Sequence, residues 1–207
     1  MSGADVSTGM GDPLFLSLWL GGFSPLALPI YFRRTLEVFP FSKLAPGSLL
    51  RVWAVSFHEV PVFEGFIESA VDAHEAAALV QEFLHDDCCI QLETRWDLWL
   101  WDGDWSLQPS RVCIELHAPH FEHDILNPLG QAEHLWIDLG REDLYLPQPR
   151  SDQLRPVQSN IRSILHLAAD LEDVLTVERR LLWSESEDNF AGRLMLLLDE
   201  PSGHSVS

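Results

Sequence analysis

Apolar and polar positions alternate most regularly between residues 90 and 101. Ile90, Leu92, Thr94, Trp96, Leu98 and Leu100 share one parity, and Gln91, Glu93, Arg95, Asp97, Trp99 and Trp101 the other. A period of two is the signature of a strand with one face against a core. Asp102-Gly103 supplies a turn, and Trp105, Leu107, Val112, Ile114 and Leu116 carry the chain back, so the pattern predicts a β-hairpin over 90–116. Residues 14–20 and 49–57 are short β-forming apolar runs. Between them, 29–39 reads as a helix that ends before Pro40, with Ser24 and Pro25 in N-cap and first-turn positions ahead of it. Asp72 and Glu75 resemble a capping box at the start of a helix over 73–85, reached through a loop containing Pro61 and Gly65.

Further strands are predicted at 134–139 and, briefly, at 143–146. Leu154, Val157, Ile161, Ile164, Ala168, Leu171 and Leu175 recur at spacings of three and four, the stripe of a helix packed on a core. A strand at 176–183 and a helix at 187–199 follow. Together these predict a single α+β domain over 13–199, with a mainly antiparallel sheet around the 90–116 hairpin and about four helices on one face. Residues 1–12 read as a flexible leader and 200–207 as a tail. The 154–175 stripe is too short for a sustained coiled coil, so a monomer or weak homodimer is expected.

Composition narrows the partners. The chain has 207 residues, with 32 acids against 13 bases and a formal net charge of -19. Residues 1–60 hold four acids and four bases, so the whole excess lies in 61–207, and residues 61–104 contain eleven acids beside the single base Arg95. Such a field repels phosphate backbones and anionic lipid, which argues against nucleic acid and membranes and favours a basic protein partner. The uncharged stretch 13–32 is long enough to span a bilayer, but Gly21, Gly22, Pro25 and Pro29 interrupt it. It reads instead as a buried strand, a glycine turn and a helix start. Cys88, Cys89 and Cys113 do not make a disulfide framework, and no signal-peptide pattern opens the chain, so a cytoplasmic setting is expected.

Three groups of residues carry candidate chemistry. Trp96, Trp99, Trp101 and Trp105 are half of the eight tryptophans, and parity places Trp99 and Trp101 on the face of Asp97. Either another element covers that end of the hairpin, or it presents an aromatic patch. With Asp97, Asp102 and Asp104 beside them, Trp99, Trp101 and Trp105 would suit a cationic or aromatic partner. The second group is His117, His120 and His123, with His134 further on. Three imidazoles suit a zinc-like divalent ion, provided the chain turns at Ala118-Pro119, because residues three apart on a strand point to opposite faces. The third, adjacent carboxylates such as Asp86-Asp87, is accounted for by chance in so acidic a chain. Acidic neighbours also blunt Cys88 and Cys89 as nucleophiles. No nucleophile elbow, phosphate loop, dinucleotide fingerprint or HExxH occurs. The expectation is a non-enzymatic acidic binding protein that needs no cofactor, with a metal-binding protein or metal-dependent enzyme using the histidines as the alternative.

Overall fold

The hairpin becomes the two longest strands of the sheet, β4 (Cys88–Trp101) and β5 (Trp105–His117), joined at Gly103 in the left-handed region at φ 81°. In the computed structural model the described residues are 11–199, apart from 69, 123–126, 149–150 and 152. Most of the expected leader and all of the expected tail lie outside them. The remaining strands are β1 (Pro13–Leu20), β2 (Ser48–Ala54), β3 (Phe63–Ile67), β6 (Leu135–Arg141) and β7 (Val177–Ser184). They form one seven-stranded sheet in the order β3-β2-β4-β5-β6-β1-β7, and every neighbouring pair is antiparallel. The expected α+β domain is therefore what the chain forms.

Four helices cover one face: α1 (Leu28–Val38), α2 (Ala73–Gln81), α3 (Arg155–Val174) and α4 (Phe190–Asp199). Against them the sheet turns Ile90, Leu92, Trp96 and Leu98 from β4 and Val112, Ile114 and Leu116 from β5. The inward residues of α3 are Val157, Ile161, Ile164, Leu167 and Leu171. Asp72 caps α2 by accepting from the backbone N–H groups of His74 and Glu75, at 2.9 and 3.0 Å. The uncharged 13–32 stretch divides into β1, a turn at Gly21-Gly22 and a 3-10 helix, Pro25–Ala27, that runs into α1. Among the described residues no helix is long and apolar enough to cross a membrane.

Two local readings change. Residues 63–67, taken as loop, form β3, whose partner β2 supplies the hydrogen bonds that a five-residue segment containing Gly65 cannot signal alone. Residues 143–146, expected as a short strand, fall for the most part in a 3-10 turn over Glu142–Tyr145. Gly140, at φ 83°, bends the chain out of β6, and the turn delivers Tyr145 into the core, where its hydroxyl donates to Leu139 O at 3.0 Å.

Among the described residues the face away from the helices carries no second layer of helices or strands. Phe15 packs between Trp136 and Trp183 with ring centroids 4.9 and 4.7 Å away, and Trp183 Nε1 donates to the buried Ser17 hydroxyl. Towards β2 and β3 the same face holds an ion network in which Arg51 bridges Glu64 and Glu93 while Arg111 reaches Glu93 from β5. Between these zones lies a polar patch of buried Cys89, Cys113, Glu115 and His117 with half-buried Gln91.

Candidate functional site

The hairpin outruns its neighbours. The β2 ladder on β4 stops at the Leu49–Glu93 pair and the β6 ladder on β5 stops at Cys113–Asp138, so the strands project beyond both. On the β2 side the free edge is closed by other elements. The Asn160 side chain from α3 accepts from Trp99 N–H at 2.9 Å and donates to Trp99 O at 2.7 Å, doing for one residue what a neighbouring strand would do. Asp97 is also used on this side, accepting from the Ser42 hydroxyl and from Lys43 N–H.

On the β6 side a cleft of about 440 Å³ remains, and its walls include Trp99, Trp101, Trp105, Arg111, Arg141 and Asp143. Gly140 belongs here, since its left-handed φ of 83° turns the chain away. Trp101 and Trp105 meet edge to face at 5.5 Å, and Trp105 Nε1 donates to Ser151 Oγ at 2.7 Å. Both cations in the walls are already paired. Arg111 Nε lies 3.0 Å from Glu93 Oε1, and Arg141 grips Asp143 through two nitrogens, Nε at 2.9 Å. Asp102 and Asp104 are exposed at the hairpin tip. Of the six predicted binding residues, the structure gathers the three tryptophans around one cleft, leaves Asp102 and Asp104 exposed at the hairpin tip and engages Asp97 with Ser42 and Lys43 on the β2 side.

The histidines disperse. His117 ends β5, buried, on the face that holds Glu115. His120 is exposed, with its backbone N–H bonded to Asp86 O. His134 sits at the start of β6, where its Nδ1 accepts from Leu20 N–H at 2.8 Å and its ring stacks on Phe23 at 4.0 Å, and burial lowers its pKa. His123 lies outside the described residues.

What the sequence reading missed is the company His117 keeps. Cys89 stands directly opposite it in the ladder and Glu115 lies two residues before it on the same face. One ligating atom from each of the three lies within 4.8 Å of the others, and all three residues are buried. Glu115 Oε2 is 3.2 Å from His117 Nε2, while its Oε1 accepts from Gln91 Nε2 at 2.7 Å. Burial pushes the Cys89 thiol well above its ordinary range, with Glu115 adding to the effect, and it raises the Cys113 thiol likewise. Cys88, on the helix face, is raised first by burial and only then by Asp87. None of the three is an activated nucleophile. All three are free thiols. The signal for this trio was present: Cys89 and His117 are equidistant from Gly103, so the hairpin register pairs them. Compared with known proteins, the chain matches no family model, no curated protein and no solved structure.

Proposed function

We propose that the chain is a non-enzymatic binding protein whose Trp99, Trp101 and Trp105 cleft receives a cationic side chain from a basic protein partner. The observation that carries this reading is the convergence of three indoles on one cleft in a chain of net charge -19. The arginines in the walls do not oppose it, because Glu93 and Asp143 already neutralise them. An indole face attracts a guanidinium or ammonium by about 0.5–2 kcal/mol, too little for a stable complex by itself. The wider acidic field supplies the steering, to which Asp102 and Asp104, exposed at the hairpin tip, contribute.

The test is a tryptophan-fluorescence titration with an oligo-arginine peptide, with oligo-glutamate as the control. A saturable change with the cationic peptide alone is expected, weakening about tenfold or more between low and physiological ionic strength. Trp101→Ala should weaken it further. The double variant Asp102→Asn with Asp104→Asn, which leaves the hairpin packing alone, should slow association. An equal response to oligo-glutamate, or a response indifferent to these substitutions, would discard the cleft as the seat.

A further inference from the structure

We propose that Cys89, Glu115 and His117 form a buried binding site for one divalent metal ion of the zinc class. The sheet itself makes the convergence. Opposed residues of an antiparallel pair bring their Cβ atoms to about 5 Å, and positions i and i+2 share a face, so the three side chains lean over one point. A tetrahedral zinc centre sets its ligand atoms about 3.3–3.8 Å apart. The Glu115–His117 separation of 3.2 Å is already at that scale, and no pair in the trio exceeds 4.8 Å. Side-chain rotation closes the difference without moving the ladder.

The donor set is the one such an ion selects. A thiolate, an imidazole and a carboxylate together favour zinc over magnesium or calcium, which take oxygen ligands. On binding the ion Cys89 gives up its thiol proton to solvent, and the thiolate and the Glu115 carboxylate together balance the two positive charges of a divalent ion. A buried carboxylate against a buried imidazole and thiol is an expensive arrangement unless a cation or a proton compensates it.

The surroundings are those of an oriented metal ligand set. Gln91 holds the outer oxygen of Glu115 and is itself held by Arg51 Nη1 and Trp53 Nε1, both at 3.3 Å. Phe121 stacks on the His117 ring at 5.7 Å and Phe57 stands edge-on at 6.4 Å, roofing the site against bulk solvent, so that a single water would complete four-coordination. The roof is tied down by the strand-like contacts of 55–56 with Glu122. It includes Val55, a β-branched residue in the left-handed region at φ 66°. The site is separate from the tryptophan cleft, and its test does not depend on that reading.

Cobalt(II) added to the full chain is the probe. The expected result is a thiolate-to-metal charge-transfer absorption, with the intense d–d bands of a tetrahedral centre, displaced stoichiometrically by zinc. The double variant Cys88→Ser with Cys113→Ser leaves Cys89 as the one thiol and should keep the absorption. Cys89→Ser should abolish it and weaken zinc binding at least about tenfold. Zinc should also raise the melting temperature of the unmodified chain, since an ion held only by the native state stabilises it. No charge-transfer absorption in the unmodified chain overturns the proposal, whether or not any variant folds. So does its loss in the Cys88→Ser, Cys113→Ser protein with the fold intact, its survival in Cys89→Ser, or an unchanged melting temperature with excess zinc.

Discussion

Glu93 shows how much a single side chain on the open face of the sheet has to reconcile. It is partly buried, which pushes its pKa up. Arg51 and Arg111, reaching it from the strands on either side at 3.1 and 3.0 Å, outweigh that and hold it below the usual carboxylate range. A carboxylate depressed in the folded state contributes stability that is complete above its unfolded pKa of about 4.3 and is lost as pH falls through the lower folded value. The melting temperature of the wild type should therefore exceed that of Glu93→Gln at neutral pH, and the gap should close as the solution is taken below about pH 4.3. A gap that persists unchanged into acid would mean the two arginines do not act on Glu93 through its charge. Parity alone places Glu93 on the polar face. Its partners depend on the registers of β2 and β5, and only the hairpin half of that is foreshadowed by Gly103.

At the scale of elements, the projecting end of the hairpin depends on α3. Asn160 is buried in the apolar stripe of that helix, and its amide serves the N–H and carbonyl of Trp99 and the carbonyl of Leu144 at 2.8 Å. Replacing it with alanine strands a donor and two acceptors near the core, each such group costing about 1–3 kcal/mol where water cannot reach it. The expected outcome for Asn160→Ala is a loss of about 3 kcal/mol in chemical denaturation, with faster amide exchange at Trp99. Exchange at Trp99 as slow as in the wild type would show that the strand edge does not need the helix. The long elements are legible from periodicity because each buries one continuous face, as with Ile90 to Leu98 or Val157 to Leu171. β3 and the 142–145 turn were not. The first borrows its hydrogen bonds from β2, and the second is dictated by the bend at Gly140 and the burial of Tyr145.

For the whole molecule the dominant quantity is charge. With 32 acids against 13 bases, self-repulsion opposes the compact state at neutral pH, and screening relieves it. The melting temperature should rise as sodium chloride is added over the first few hundred millimolar, and a fall would mean that ion pairs such as Arg51–Glu93 outweigh the net charge. The alternation and stripes, the Gly103 turn and the composition were enough to set the fold class, the face of nearly every long element and the excess of acid, because those follow from local periodicity and counting. The order of the sheet was not available to such reasoning. Consecutive β1 and β2 end up with β4, β5 and β6 between them, an arrangement settled by which apolar faces find one another across the chain. The same long-range pairing drew His134 to Leu20 and left His120 in solvent, whereas the meeting of His117 with Cys89 and Glu115 follows from the hairpin register about Gly103. It also gathered the tryptophans where β5 parts from β6. Residue types and parity announce which side chains can do chemistry. Within a hairpin the turn and the register also say which of them meet; beyond it that is decided by contacts between elements far apart in the chain, which no local pattern encodes.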